Sequence, residues 1–276
     1  MTLCMPDPEI FALGPLALRW YGLFAALAAL LFYLTMCWRA KRYSLNAQDI
    51  ADLLVVCIIS GVVGARLEYV RRFWDVYFAN DFMGIFRVWE GGLVFQGGFI
   101  LTVIACFWYC RRRKWSPAQI ADLTAPSLPA AHALARFGCL FNGCCYGKVW
   151  DGVLGIQYPA AGNTVMEIQR ESGLLDSAAA QPLPCFPVQL LESFWCMLVA
   201  VVIYIMERRR ILEGRRFLVY VLLYSAGRFA FEFFRGDYSR RGVMTPAQWT
   251  TLLIVIPVTL AIIAYLSIRR KRLQNG

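Results

Sequence analysis

Histidine is nearly missing from this chain: among 276 residues there is one, His132, set inside an apolar run. Imidazole acid–base chemistry therefore has a single position to act from. Acidic residues are also few, 18 Asp+Glu against 28 Lys+Arg, for a formal charge of +10. That balance raises a nucleic-acid partner, which needs basic residues on one solvated face with stacking aromatics among them. The clustering is lacking, because the basic residues fall in short groups between apolar runs, and no nucleic acid is expected. The residues ahead of the first apolar stretch hold Asp7 and Glu9 but no basic cluster, so a cleaved signal peptide is not expected and the first span is read as retained. No internal repeat is visible, and no pair of spans suggests an inverted transporter repeat.

What the chain has is apolar length. Hydrophobic residues make up 59% of it and mean hydropathy is +0.52, which points to an all-α membrane protein rather than a soluble domain. Seven segments approach the ~20 residues needed to cross hydrocarbon: Trp20–Trp38, Ile50–Tyr69, Gly92–Cys110, Ile120–Phe141, Gln189–Met206, Phe217–Phe234 and Ala247–Ile268. Sixteen of the 28 Lys+Arg lie on one side of these segments: Arg39, Lys41 and Arg42, then Arg111–Lys114, then Arg208–Arg210 with Arg215 and Arg216, then Arg269–Arg272. A basic excess in short loops marks the cytoplasmic face, so the N-terminus is expected outside and the C-terminus inside. The outward connections are about Val70–Gly91, Asn142–Val188 and Arg235–Pro246. The second is long enough to form a small external head subdomain within a single 1–276 domain, and Ala178–Pro187 reads as a linker.

Charge inside a span is costly and calls for a partner or a ligand. Tyr224, Arg228 and Glu232 are spaced by four, with Arg235 three further on, and form one helical stripe. One reading is an Arg–Glu pair that neutralises itself. The other is a site, because Arg136 approaches the same leaflet from span four; two arginines near one carboxylate leave positive charge suited to a phosphate ester. His132 lies one turn before Arg136, either as a packing residue or facing the same cavity. In span two, Arg66 and Glu68 read as snorkelling charges, and Gly61 and Gly64 as allowing close helix contact. The glycine-rich stretch Trp89–Phe99 opens span three; its diglycines fit close packing or a ligand approach, and Gln96 is the polar side chain best placed to meet a ligand.

Of the ten cysteines, Cys37, Cys57, Cys106, Cys110 and Cys196 lie in or at the ends of spans as small apolar residues. Cys139, Cys144, Cys145 and Cys185 group on the expected outer side, where a disulfide of Cys144 or Cys145 with Cys185, or reactive thiols, can form. Cys-x4-Cys-Cys is not a standard zinc spacing, and neither a metal nor a cofactor is expected.

Together, Trp20-Tyr-Gly22, Gly91-Gly-Leu93 with Gln96-Gly-Gly-Phe99, Arg136-Phe-Gly-Cys-Leu-Phe-Asn-Gly143, Phe186-Pro-Val-Gln-Leu-Leu-Glu192 and Gly227-Arg-Phe-Ala-Phe-Glu-Phe-Phe-Arg235 resemble the prolipoprotein diacylglyceryl transferase family. The resemblance implies a seven-helix enzyme of the bacterial cytoplasmic (inner) membrane. Such enzymes move the diacylglyceryl group of phosphatidylglycerol to the lipobox cysteine of a preprolipoprotein signal peptide, forming a thioether and releasing glycerol phosphate. Arg136, Arg228 and Glu232 take the catalytic positions. Tyr21, Gln96, Gly98, Asn142, Gly143, Tyr224 and Arg235 take substrate-binding ones, with phosphatidylglycerol and other membrane phospholipids as partners and no clear oligomer signal.

Three positions leave the family's usual pattern. Gln96 stands where a histidine precedes the diglycine, Cys139 where the span-four motif has asparagine, and Cys144 where it has glutamate. A histidine serving to deprotonate the thiol has no counterpart at Gln96, since an amide is no general base. His132, Glu232 or the phosphate itself are the alternatives. A divergent member acting on another lipid or acceptor, and a membrane thiol-redox protein using the outer cysteines, stand as alternative functions.

Overall fold

The structure, a computed structural model, describes residues 3–13, 16–78, 81–88, 91–160, 165–176, 181–236 and 244–275. Trp89 and Glu90 of the glycine-rich stretch, part of the 178–187 linker, part of the third outward connection and the side chains of Arg269–Arg272 lie outside the described residues. The chain is mostly helical: α1 Trp20–Ala40, α2 Ala47–Arg72, α3 Phe95–Arg112, α4 Pro117–Asn142, the short α5 Val165–Glu171, α6 Val188–Arg208, α7 Arg216–Phe231, α8 Pro246–Thr250 and α9 Ile256–Asn275. A π-helical turn, Thr251–Val255, joins the last two. Strands are brief: β1 Leu3–Cys4 pairs parallel with β4 Ile156–Gln157, and β2 Glu9–Leu13 pairs antiparallel with β3 Leu16–Arg19.

Each predicted segment contains helix, but α3 begins three residues inside its segment, at Phe95, and α7 stops three residues short, at Phe231. Among the described residues, four stretches are long and apolar enough to cross a membrane: Trp20–Tyr43, Ala47–Arg72, Val188–Arg208 and Pro246–Ile268. Their exposed side chains include many apolar ones, as with Leu30 and Leu34 on α1 or Leu253 and Leu260 in the Pro246–Ile268 stretch. Apolar surface on this scale is a liability in water and ordinary in lipid.

Two compact units emerge, one of Met1–Phe32 with Thr124–Gly276, the other of Tyr33–Leu123. In the second, α2 starts from a reciprocal cap: Asn46 Oδ1 accepts from Asp49 N (2.9 Å) while Asp49 Oδ2 accepts from Asn46 N (3.0 Å). The α2–α3 seam is made of glycine. A Cβ on Gly64 or Gly97 would overlap the other's carbonyl oxygen, and one on Gly98 would sit 2.7 Å from Gly61 O. Backbones this close exclude any side chain, so Gly97 and Gly98 serve packing. Arg66 departs from the snorkelling expectation. It is 7% exposed and donates to the carbonyls of Ile85 (2.8 Å), Gly91 (2.7 Å) and Gly92 (3.1 Å), so it orders the loop ahead of α3. Glu68 pairs instead with Arg71 and Arg72.

The first unit is organised by α4, α6 and α7. Pro126 and Pro129 sit inside α4, where each removes a helix donor. Ser193 Oγ of α6 donates to Ala133 O (2.8 Å), fastening the two helices beside the site. The start of α1 packs against the end of α4 by stacking Trp20 and Phe24 on Phe141, with centroids 5.0 and 5.5 Å apart. Gly227 of α7 admits the Trp195 indole, which a Cβ there would overlap; Trp195 Nε1 then reaches Leu223 O (3.0 Å). The 142–188 connection carries a small core, in which Tyr146, Ile156, Tyr158, Val165 and Cys185 pack with Leu140 of α4.

Candidate active site

The end of α4 explains why Cys144 and Cys145 return toward the helix they follow. Gly143 takes φ +66°, the left-handed conformation that stops a helix at low cost in glycine, and Cys144 N closes the turn on Cys139 O (3.1 Å). Cys145 is left-handed too, at φ +60°. Two such residues in three fold the chain back on itself, and the Sγ atoms of Cys139, Cys144 and Cys145 all come within 4.8 Å of one another. Linear spacing does not announce this grouping. Gln189, fully buried on α6, holds the fold-back by donating to Cys144 O (2.9 Å) and Tyr158 OH (3.0 Å).

Six residues before the end of α4, Arg136 enters an ion cluster centred on Glu192 of α6. Arg136 Nε lies 2.8 Å from Glu192 Oε2, Arg228 Nη1 3.2 Å from Oε1, and Arg235 Nη1 3.6 Å from Oε1. Glu232 takes the other side, 2.9 Å from Arg228 Nη2 and 3.9 Å from Arg235 Nε. Thr245 Oγ1, the capping side chain of α8, donates to Glu232 Oε1 at 2.9 Å. Side-chain exposure is 20% for Arg228 and 11% or less for the other four charged residues, so these charges have left water and depend on one another. Three guanidinium groups meet two carboxylates, and the cluster is net positive.

The helical stripe holds for Tyr224 and Arg228 but not beyond. Helix α7 ends at Phe231, with Glu232 as its cap, and Arg235 sits in the following turn. The cause is backbone capture: Lys148 N donates to Phe234 O (2.9 Å), Gly236 N to Tyr146 O (3.1 Å), and Gly147 bridges Arg235. Arg235 still reaches Glu192, from the loop rather than the helix. A cleft opens beside the cluster, bounded by Arg136, Glu192 and Arg228 and walled by His132, Trp195, Tyr224 and Phe231. His132 thus faces the cavity, 5.3 Å from the Tyr224 ring between centroids.

Of the sequence-predicted residues, Arg136, Arg228, Glu232, Arg235 and Tyr224 come together. Tyr21 lies beside the end of α4, its Cα 3.4 Å from where a Cβ on Gly138 would be. Asn142 is the last residue of α4. Gln96 and Gly98 belong to the other unit, Gln96 exposed and Gly98 in the glycine seam. Sequence reasoning missed Glu192 and Gln189 as site residues. Glu192 carried the signal that singled out Arg136, a charge inside an apolar span.

The expected bridge to Cys185 is not made: all ten cysteines, each among the described residues, are free thiols. Cys185 is occupied elsewhere, 3.3 Å from Gln169 Nε2 within the small core, and burial pushes its thiol up to about 12. The Cys145 thiol is held below its usual range by the neighbouring Cys139 and Cys144 thiols and then by Arg235 and Arg136.

Comparison with known proteins shows the family. A sequence model of the family described as prolipoprotein diacylglyceryl transferase matches residues 8–265. A phosphatidylglycerol–prolipoprotein diacylglyceryl transferase of Streptococcus equi subsp. zooepidemicus is 28% identical over 274 residues, 99% of this chain and 98% of that protein. Proteins of the same name from Listeria monocytogenes serotype 4a and Listeria innocua serovar 6a are each 31% identical over 261 residues, 94% of this chain and 89% of theirs. With the match running from just before β2 into the last helix, the chain belongs to the prolipoprotein diacylglyceryl transferase family.

Proposed function

We propose that this chain transfers the diacylglyceryl group of phosphatidylglycerol to the cysteine thiol of a prolipoprotein. The observation that carries the reading is the convergence of Arg136, Arg228 and Arg235 on Glu192, with positive charge in excess beside an apolar cleft. A phosphodiester headgroup fits the guanidinium side, and the cleft's aromatic wall suits glyceryl and acyl carbon. In the reaction the thiol sulfur bonds to the glyceryl carbon, the bond from that carbon to phosphate oxygen breaks, and glycerol phosphate leaves. The thiol proton is balanced by the departing phosphate. Negative charge grows on that oxygen as the bond breaks, and positioned guanidinium groups stabilise it. Arg136 and Arg228 make that contact. Glu232, itself paired with Arg235, holds Arg228 in place, and Glu192 aligns all three arginines. Tyr21, Asn142, Gly143 and Tyr224 line the approach.

In this reading all seven predicted segments span the bacterial inner membrane, the N-terminus is outside, and residues 142–188 form the external head where the signal peptide docks. The test is transfer of radiolabelled glycerolipid from phosphatidylglycerol vesicles to a lipobox peptide. Label should appear on the cysteine peptide and not on its serine counterpart. Absence of product with any cysteine peptide and this lipid overturns the assignment.

A further inference from the structure

Three thiols converge beside the site, and the proposed reaction leaves them without work. Both site carboxylates are already engaged by two or more guanidinium groups, which occupy their oxygen atoms. The acceptor thiol, with an ordinary pKa of ~8.5, needs help to reach its nucleophilic form near neutrality. We propose that Cys139, Cys144 and Cys145 hold a zinc ion as three thiolates, with the fourth tetrahedral position open to the acceptor thiol; this rests on the transferase reading.

The donor set fits. Zinc–sulfur bonds of ~2.3 Å in a tetrahedron put ligand sulfurs ~3.8 Å apart. The three Sγ atoms already lie within 4.8 Å of one another, so a contraction of ~1 Å by side-chain rotation closes the site. The backbone is set for it by left-handed Gly143 and Cys145, fixed from α6 by Gln189. Charge fits as well. Zinc with three thiolates carries one net negative charge, next to a cluster with one net positive charge, and Arg136 Nη1 is 3.8 Å from Cys139 Sγ. Three protein ligands with one open position is the pattern of a catalytic rather than a structural zinc site.

Binding the ion releases the three cysteine protons to water. Coordination of the acceptor thiol releases its proton likewise and leaves a zinc-bound thiolate. That sulfur's electron pair forms the carbon–sulfur bond, and the electrons of the breaking carbon–oxygen bond leave with the phosphate. Zinc neither gains nor loses electrons.

The experiment uses the full chain, purified in detergent without a histidine tag. Elemental analysis should find close to one zinc per chain in the parent and in Cys4→Ser, and under a tenth of that in Cys144→Ser and Cys145→Ser. Cobalt exchanged for zinc should show sulfur-to-metal charge-transfer absorption that shifts with a lipobox cysteine peptide and not with its serine form. Because a serine variant can misfold, metal is also stripped from the parent by chelation and restored. Absence of metal, equal metal in the Cys144→Ser variant, a disulfide among the three cysteines by mass, or unchanged transfer by the stripped enzyme each overturns the inference while the transferase reading stands. Metal and the peptide-induced shift without lipid transfer overturn the transferase reading alone.

Discussion

Replacing Glu192 by glutamine keeps the shape of the side chain and removes the charge on which Arg136, Arg228 and Arg235 converge at 2.8, 3.2 and 3.6 Å. At an effective dielectric of about 20, each such pair is worth roughly 5–6 kcal/mol of attraction, most of it offset by the cost of dehydrating the ions. What remains when one partner of a buried pair is deleted is about 3–5 kcal/mol of lost stability. The loss falls in that range rather than at three times it, because the pairs share one dehydrated carboxylate and Glu232 still faces Arg228 and Arg235. Denaturant unfolding of purified protein in detergent should show the drop, and transfer should fall by at least about 100-fold as the arginines lose alignment. The sign of a second effect is diagnostic: added phosphatidylglycerol should stabilise Glu192→Gln more than the parent, since the variant's cluster is more positive. Parental stability and rate in Glu192→Gln would refute an arginine cluster organised by this carboxylate.

Arg228→Lys should cost about 100-fold in transfer, because an ammonium cannot face Glu192 and Glu232 together, and vesicle assays at saturating lipid should show the loss in rate. Gly227→Ala should lower stability by about 1–3 kcal/mol, because the new methyl displaces Trp195 and its bond to Leu223; unfolding by tryptophan fluorescence measures it. Cys185 should resist alkylation in the folded protein at pH 8 and react once it unfolds. Its folded pKa, about 12, lies above the usual 9.0, so its contribution to stability is full below pH 9 and lost as pH rises through 12, which Cys185→Ala should remove from the alkaline unfolding profile.

Much of this was legible because burial of charge is expensive wherever it occurs. Arg136 inside an apolar run required partners, and four-residue spacing put Tyr224 and Arg228 on one helix face. Local reasoning stopped where distant backbone decides. Arg235 fits the helical stripe by number, but residues 146–148 capture the chain after Phe231 and end the helix first. The thiols of Cys139, Cys144 and Cys145 are brought together by a fold-back at left-handed Gly143 and Cys145 that linear spacing does not show. Arg66 looks like an interfacial charge until the carbonyls it serves, more than a dozen residues on, are in place.

Arg235 belongs to two structures at once. Its backbone is bridged to Gly147 in the connection after α4, while its side chain, 4% exposed, stands among the buried charges. A push on the Tyr146–Lys148 segment is therefore passed through Arg235 toward Glu192. An antibody fragment or small molecule seated on the exposed Lys148–Trp150 edge of that segment would act as a remote inhibitor, disturbing the charge cluster without entering the cleft.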